Sequence, residues 1–229
     1  EYNLNEIVIL DQKQKKELKS AMPQINCKMF PLIVDFKNLE KTNLYNTPKQ
    51  KNVRKKTLNI AVISRLFSDR PNEIIFEYFS VLRSKFKLHL HWYGDGNKSL
   101  YDDLSKKLSV RSDDITFHGH SSDIQADLYR DAIDLCWQTC MGLSLNYAPI
   151  ELMSQSFPVY LINIDPDFTS NEDHPCEIAT TKQEAINFHE NIMLNLDYLD
   201  ELISNNKNYV IDTYSSSAAY IKMKKIGLV

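Results

Sequence analysis

Two arginines, Arg65 and Arg70, stand five positions apart in the stretch Ser64-Arg65-Leu66-Phe67-Ser68-Asp69-Arg70. A guanidinium donates two parallel hydrogen bonds and suits phosphate oxygens. The same two residues on an exposed loop would simply be solvated. Further along, Gly94-Asp95-Gly96 forms either a tight turn or a place where backbone comes close to a ligand. The dinucleotide fingerprint GxGxxG is absent, which disfavours a nicotinamide-type site. His118-Gly119-His120 offers loop histidines for ligand contact, or packed ones. It lacks the further ligands at suitable spacing that a metal site would need, so no metal is expected. His89 and His91 alternate within one run and share a face. The richest segment is Gly142-Leu143-Ser144-Leu145-Asn146-Tyr147-Ala148-Pro149-Ile150-Glu151. A helix starting near Pro149 would aim free N–H groups at an anion. Glu151, expected in its first turn, would either complement the helix dipole or accept hydrogen bonds from a hydroxyl pair such as ribose.

These residues need a frame that brings them together, and the apolar pattern supplies one. Leu58 to Ser64 reads as a strand buried on both faces. Ile74, Ile75, Tyr78, Phe79 and Leu82 follow at helical spacing, with Pro71 at the helix start. Leu88 to Tyr93 is the next strand. Leu100, Leu104 and Leu108 mark a short helix, and Ile115 to Phe117 another strand. Asp123 opens a helix to Ala132. Asp134 to Trp137 is a strand, Pro149 to Gln155 a helix, and Pro158 to Ile162 a strand. This alternation predicts βαβ units, hence an α/β, Rossmann-like, doubly wound parallel sheet. In such sheets ligands bind beyond the carboxyl ends of the strands, where each candidate above falls. Residues 164–176 read as a polar loop. Glu184 to Asn195, Tyr198 to Ile203 and the terminal segment read as helices.

Before this domain, Ile7 to Leu10, a helix capped by Asp11 and running through Leu18, and Met29 to Asp35 read as strand, helix and strand. The polar stretch 36–56, with Pro48, reads as a linker. The organisation expected is residues 1–40 as the tail end of a preceding domain, 41–56 as linker, 57–210 as the Rossmann-like domain, and 211–229 as a terminal helix.

Composition narrows the function classes. The chain has 229 residues, 43% hydrophobic and 25% charged, with a net charge of -3. That is ordinary globular composition and excludes a disordered chain. Near-neutral charge argues against a nucleic-acid partner. The cluster Lys49, Lys51, Arg54, Lys55 and Lys56 reads as a solvated linker, with a membrane surface as the other option. No apolar run approaches the roughly 20 residues of a membrane span. Four cysteines without a CxxC pair fit a reducing, cytoplasmic compartment, membrane-peripheral at most. The first residue is Glu1 and no signal segment is evident, so a fragment or a processed product is expected.

Taken in order, the pieces resemble the C-terminal, donor-binding half of a GT-B glycosyltransferase of the retaining family 4 type. The residues that carry the resemblance are Ser64-Arg65-Leu66 with Arg70, Gly94-Asp95-Gly96, Phe117-His118-Gly119, and Glu151 through Pro158-Val159. Together they span about residues 57–165. The segment Gly142 to Glu151 also resembles rhamnosyltransferase-type members. The resemblance implies that Arg65 and Arg70, the latter in place of the usual Lys, hold the donor diphosphate as the catalytic groups. Glu151 would bind the ribose. Gly94, Gly96, His118, Gly119, Leu143, Ser144, Asn146 and Tyr147 would border the donor.

The implied reaction is transfer of a sugar from a nucleotide-diphosphate donor to a glycan or lipid-linked acceptor. It needs no cofactor or metal, and rests on electrostatic stabilisation of the leaving diphosphate. Three further positions depart from the family. Leu143 stands where a further glutamate is common. Ser64 and Ser156 replace glycines. The N-terminal, acceptor-side domain is largely missing from the 229 residues, so nucleotide binding with slow or no transfer is expected. The alternative is a catalytically silent glycosyltransferase-like binding or scaffold module.

Overall fold

The computed structural model describes residues 6–9, 12–29, 57–68, 70–142, 145–168, 176–195, 197–225 and 227. Its main body is one six-stranded sheet, all parallel, in the order β5-β4-β3-β6-β7-β8. The strands are β3 (Leu58–Ile63), β4 (Leu88–Tyr93), β5 (Ile115–Gly119), β6 (Leu135–Cys140), β7 (Val159–Asn163) and β8 (Ile178–Ala179). This is the doubly wound Rossmann order. It reverses between β3 and β6, the switch point at which such sheets open a crevice.

The period of two along the strands sorts side chains onto two cores. Leu58, Ile60 and Val62 face one side with Leu88, Leu90, Trp92, Leu135, Trp137, Tyr160 and Ile162. There they meet α2 (Asn72–Arg83) through Ile75, Phe76, Phe79 and Leu82, and α6 (Lys182–Leu194) through Ala185, Phe188 and Ile192. Ala61, Tyr93, Cys136, Cys140, Val159 and Leu161 face the other side. There they meet α4 (Ile124–Arg130) through Leu128, α5 (Tyr147–Ser154) through Ile150, Leu152 and Met153, and α7 (Asp197–Tyr214) through Val210 and Tyr214. A parallel sheet covered on both faces needs continuous apolar strands, and β3 and β7 are of that kind. The short helix α3 (Lys98–Lys107) adds Leu104 to the first core.

At the other end of the chain, β1 (Glu6–Ile9), α1 (Gln12–Ala21) and β2 (Asn26–Met29) form a separate two-stranded parallel sheet with its crossover helix. β2 covers Asn26–Met29; the strand expected over residues 29–35 falls, after Met29, on residues 30–56, which lie outside those described. So does the basic cluster of the expected linker.

Several elements differ from the sequence reading. β6 reaches Cys140, β5 reaches Gly119, and α5 starts at Tyr147 rather than Pro149. α7 is a long helix, with a break at Ser215 before α8 (Ser216–Lys225). Among the described residues, no helix is long and apolar enough to cross a membrane.

Candidate functional site at the sheet switch point

Parallel pairing sets the strand ends side by side. Ile60, Ala61 and Val62 of β3 lie opposite Leu135, Cys136 and Trp137 of β6. β3 and β6 are thus adjacent strands that run toward the same edge of the sheet. The loop carrying the arginines and the loop leading into α5 are therefore neighbours at the carboxyl edge.

The arginine loop is held rigidly by its backbone. Ser64 N–H donates to Tyr93 O at 3.0 Å, Leu66 N–H to Asp95 O at 2.8 Å, and Asn97 N–H to Leu66 O at 3.0 Å. The Trp92 indole N–H donates to Ser64 O at 2.7 Å. Leu66 is fully buried and serves as the anchor. This zipper explains Gly94 and Gly96. A Cβ on Gly94, whose φ is +141°, would sit 2.3 Å from Ser64 O, and one on Gly96 would sit 2.4 Å from Leu66 Cβ. Both glycines answer the close approach of a neighbouring chain segment.

Downstream, the buried Asn72 side chain donates to Phe67 O at 2.8 Å, closing the loop onto the start of α2. Arg65 and Arg70 remain exposed. Arg65 lies over the Phe67 ring, 5.8 Å from its centroid. Among the described residues, neither arginine has an ion-pair partner.

On the other side of the switch point, Gly142 N–H donates to the buried Asn163 Oδ1 at 2.9 Å, and Asn163 Nδ2 donates to Asp165 O at 2.7 Å. Asn163, at the end of β7, thus ties two strand exits together. Sequence reasoning missed it, since an Asn ending an apolar run reads as a turn residue. Leu143 and Ser144 lie outside the described residues. Asn146 is the N-cap of α5 in extended conformation, and its side chain makes no capping hydrogen bond. Tyr147, 54% exposed, opens the helix. Among the described residues, no side chain accepts from the first-turn N–H groups, which face the edge as in an anion site.

Glu151 is one place where the expectation is corrected. Because Tyr147 and Ala148 belong to the helix, Glu151 lies in its second turn, and the first turn holds no acidic residue. Pro149 is accommodated at the third position because the first four N–H groups of a helix have no intrahelical acceptor. The helix dipole is thus not the main reason for a carboxylate here. Partial burial raises the Glu151 carboxyl pKa above its ordinary value.

His118 and Gly119 lie within β5 rather than in a loop after it. Gly119 O accepts from Gly94 N–H at 2.7 Å, which ties the β4 and β5 ends together. The His118 ring stacks on Tyr93 at 4.3 Å between centroids, and its Nε2 faces His91 Nδ1 at 3.0 Å. His118 is thereby engaged on a sheet face. Burial, then His89 and His118, push the His91 pKa down to about 4, while Asp131 opposes the shift. Burial likewise lowers that of His118.

No family model and no curated protein matches the sequence. Solved structures do match. HepE from Anabaena, in complex with UDP and glucose, superposes with TM-score 0.67 at 14% identity, over 97% of this chain and 62% of its own. TarM of S. aureus gives TM-score 0.70 at 17% identity, over 97% and 43%. WaaG, a glycosyltransferase involved in lipopolysaccharide biosynthesis, gives TM-score 0.62 at 15% identity, over 97% and 62%. The chain thus spans roughly 40–60% of the length of these proteins. With its all-parallel order and its shared length of about half, the chain has the fold of the C-terminal half of a GT-B glycosyltransferase.

Proposed function

We propose that this chain is the donor-binding half of a glycosyltransferase that moves a sugar from a nucleotide-diphosphate donor to a glycan or lipid-linked acceptor. The observation that carries this reading is the switch point. A rigidly held loop presents exposed Arg65 and Arg70 beside the uncapped N-terminus of α5. Guanidinium groups and helix N–H groups together complement a diphosphate, in the ground state and as a leaving group. Exposed Phe67 and Tyr147 flank the same edge and offer faces for a base or sugar. Glu151, one turn into α5, is available to ribose hydroxyls. No metal is needed for this chemistry, because the cations are supplied by the chain.

HepE was solved with UDP and with UDP-glucose, which makes UDP the first donor nucleotide to test. The experiment is a calorimetric panel of UDP, GDP, ADP and dTDP, with uridine as the control that lacks phosphate. The expected outcome is micromolar binding of one diphosphate and at least about a hundredfold weaker binding of its nucleoside, since two or more charge-assisted contacts are lost. Equal affinity for UDP and uridine would contradict a site built around the diphosphate. A silent scaffold is separated from an enzyme by release of sugar or its transfer from the donor that binds.

A further inference from the structure

A second cluster of chemically capable side chains lies apart from the arginine loop, on the sheet face that carries α4. His91 on β4, His118 on β5 and Asp131 just after α4 each bring one ligand atom, and these atoms lie within 4.8 Å of one another. All three residues are half-buried. The two ring nitrogens that face each other, His91 Nδ1 and His118 Nε2, are 3.0 Å apart. Asp131 Oδ2 lies 3.7 Å from His118 Nδ1 and accepts a 2.6 Å hydrogen bond from the Tyr93 hydroxyl.

We propose that His91, His118 and Asp131 form a binding site for a divalent transition metal such as zinc, clamping the β4–β5 edge of the sheet to the turn that follows α4.

The donor set is the right kind. Two imidazoles and one carboxylate are a common zinc ligand set, leaving a fourth position for water. Ligand atoms on a tetrahedral zinc lie about 3.4 Å apart, given metal–ligand distances near 2.0–2.2 Å. The facing nitrogens are already closer than that. The carboxylate atom lies within 4.8 Å of both nitrogens, so a modest inward adjustment brings the three onto one ion. The surroundings fix the rings. His91 stacks on His118 at 5.2 Å, and His118 stacks on Tyr93. His89, the neighbour on the same face, is occupied by Thr116 Oγ1 at 2.8 Å and is not in the set. One competitor stands in the way. Arg130 also holds Asp131, with its Nη2 3.1 Å from Oδ2. A second bond, from its Nε to Oδ1 at 3.1 Å, makes the pair a fork that a metal must displace, so Arg130 opposes binding at this site.

The test uses the whole chain, stripped of metal with a chelator and titrated with zinc while calorimetry, thermal unfolding and histidine ring NMR are recorded. The expected result is one saturable zinc per chain and a raised Tm. Of the six histidines, the ring signals of His91 and His118 should shift. His118→Gln should weaken binding at least about thirtyfold, His120→Ala should leave it unchanged, and Arg130→Ala should tighten it. Should His118→Gln not fold, the wild-type ring signals and Arg130→Ala still decide. Zinc binding that does not saturate at one equivalent, or that shifts His120 rather than His91 and His118, would overturn the proposal. Either result leaves the diphosphate reading unaffected, because the arginine loop and the start of α5 contribute no ligand to this cluster.

Discussion

Arg65 and Gly94 show how a functional residue and a purely steric one depend on each other. Arg65 can present its side chain to a ligand because the backbone around it is bonded to the β4 exit. That bonding is possible only with no side chain at Gly94. Gly94→Ala places a methyl group 2.3 Å from Ser64 O, at a φ that L-residues rarely adopt. We expect it to destabilise the fold by about 2 kcal/mol or more and to weaken nucleotide binding together with stability. Denaturant unfolding and calorimetry on the same variant check both. The Gly-x-Gly was legible in the sequence as a turn or a close approach. What it approaches was not, because Ser64 and Gly94 are brought together by parallel pairing across thirty positions of sequence. The His91–His118 pair was hidden for the same reason. It also depends on a register shift at Trp92 and Tyr93 that the sequence does not mark.

Helix α5 illustrates the same relation at the level of the element. Its sequence, Tyr147 to Ser154, suggested a start at Pro149, since proline favours the first turn. The actual start two residues earlier moved Glu151 out of the first turn. Its end is well defined. Phe157 N–H donates to Leu152 O at 3.0 Å and Ser156 N–H to Met153 O at 3.1 Å, the two bonds of a Schellman cap. Ser156 occupies the left-handed position of that cap with φ 65°. The family to which the sequence resembles has glycine there, and the backbone explains why. Ser156→Gly relieves the strain at the expense of a 3.3 Å contact from Lys207. We expect a net stabilisation of about 0.5–1 kcal/mol, read as a higher denaturant midpoint with unchanged slope. Long central strands were legible because burial on both faces demands uninterrupted apolar runs. The two-residue β8 was not, being too short to carry a period.

For the molecule as a whole, a sheet buried on both faces encloses a histidine in its core. His189 is fully buried among Trp137, Tyr160 and Phe188, with Nδ1 bonded to Ala185 O at 2.7 Å. Burial pushes its pKa down to about 4. In the unfolded chain the group binds a proton near pH 6.5. Stability is therefore full above that pH and falls as the pH drops toward 4, because the unfolded state takes up a proton that the folded state does not. The slope has a ceiling of about 1.4 kcal/mol per pH unit from this residue. His189→Phe, which keeps a ring in the pocket, should reduce the slope between pH 6.5 and 5, leaving the part that His91, lowered in the same way, contributes. An unchanged slope would place the pH dependence elsewhere.

At the switch point the order of the strands brings an arginine loop and the start of a helix to one edge. The most direct test of this arrangement is a calorimetric titration of UDP into the wild-type chain, Arg65→Ala, and Arg111→Ala, a control at an exposed site near the start of β5. A single UDP site is expected, with an affinity that falls about tenfold to a hundredfold in Arg65→Ala, as loss of one charge-assisted contact dictates, and stays unchanged in Arg111→Ala. UDP binding of equal strength in all three proteins would contradict it.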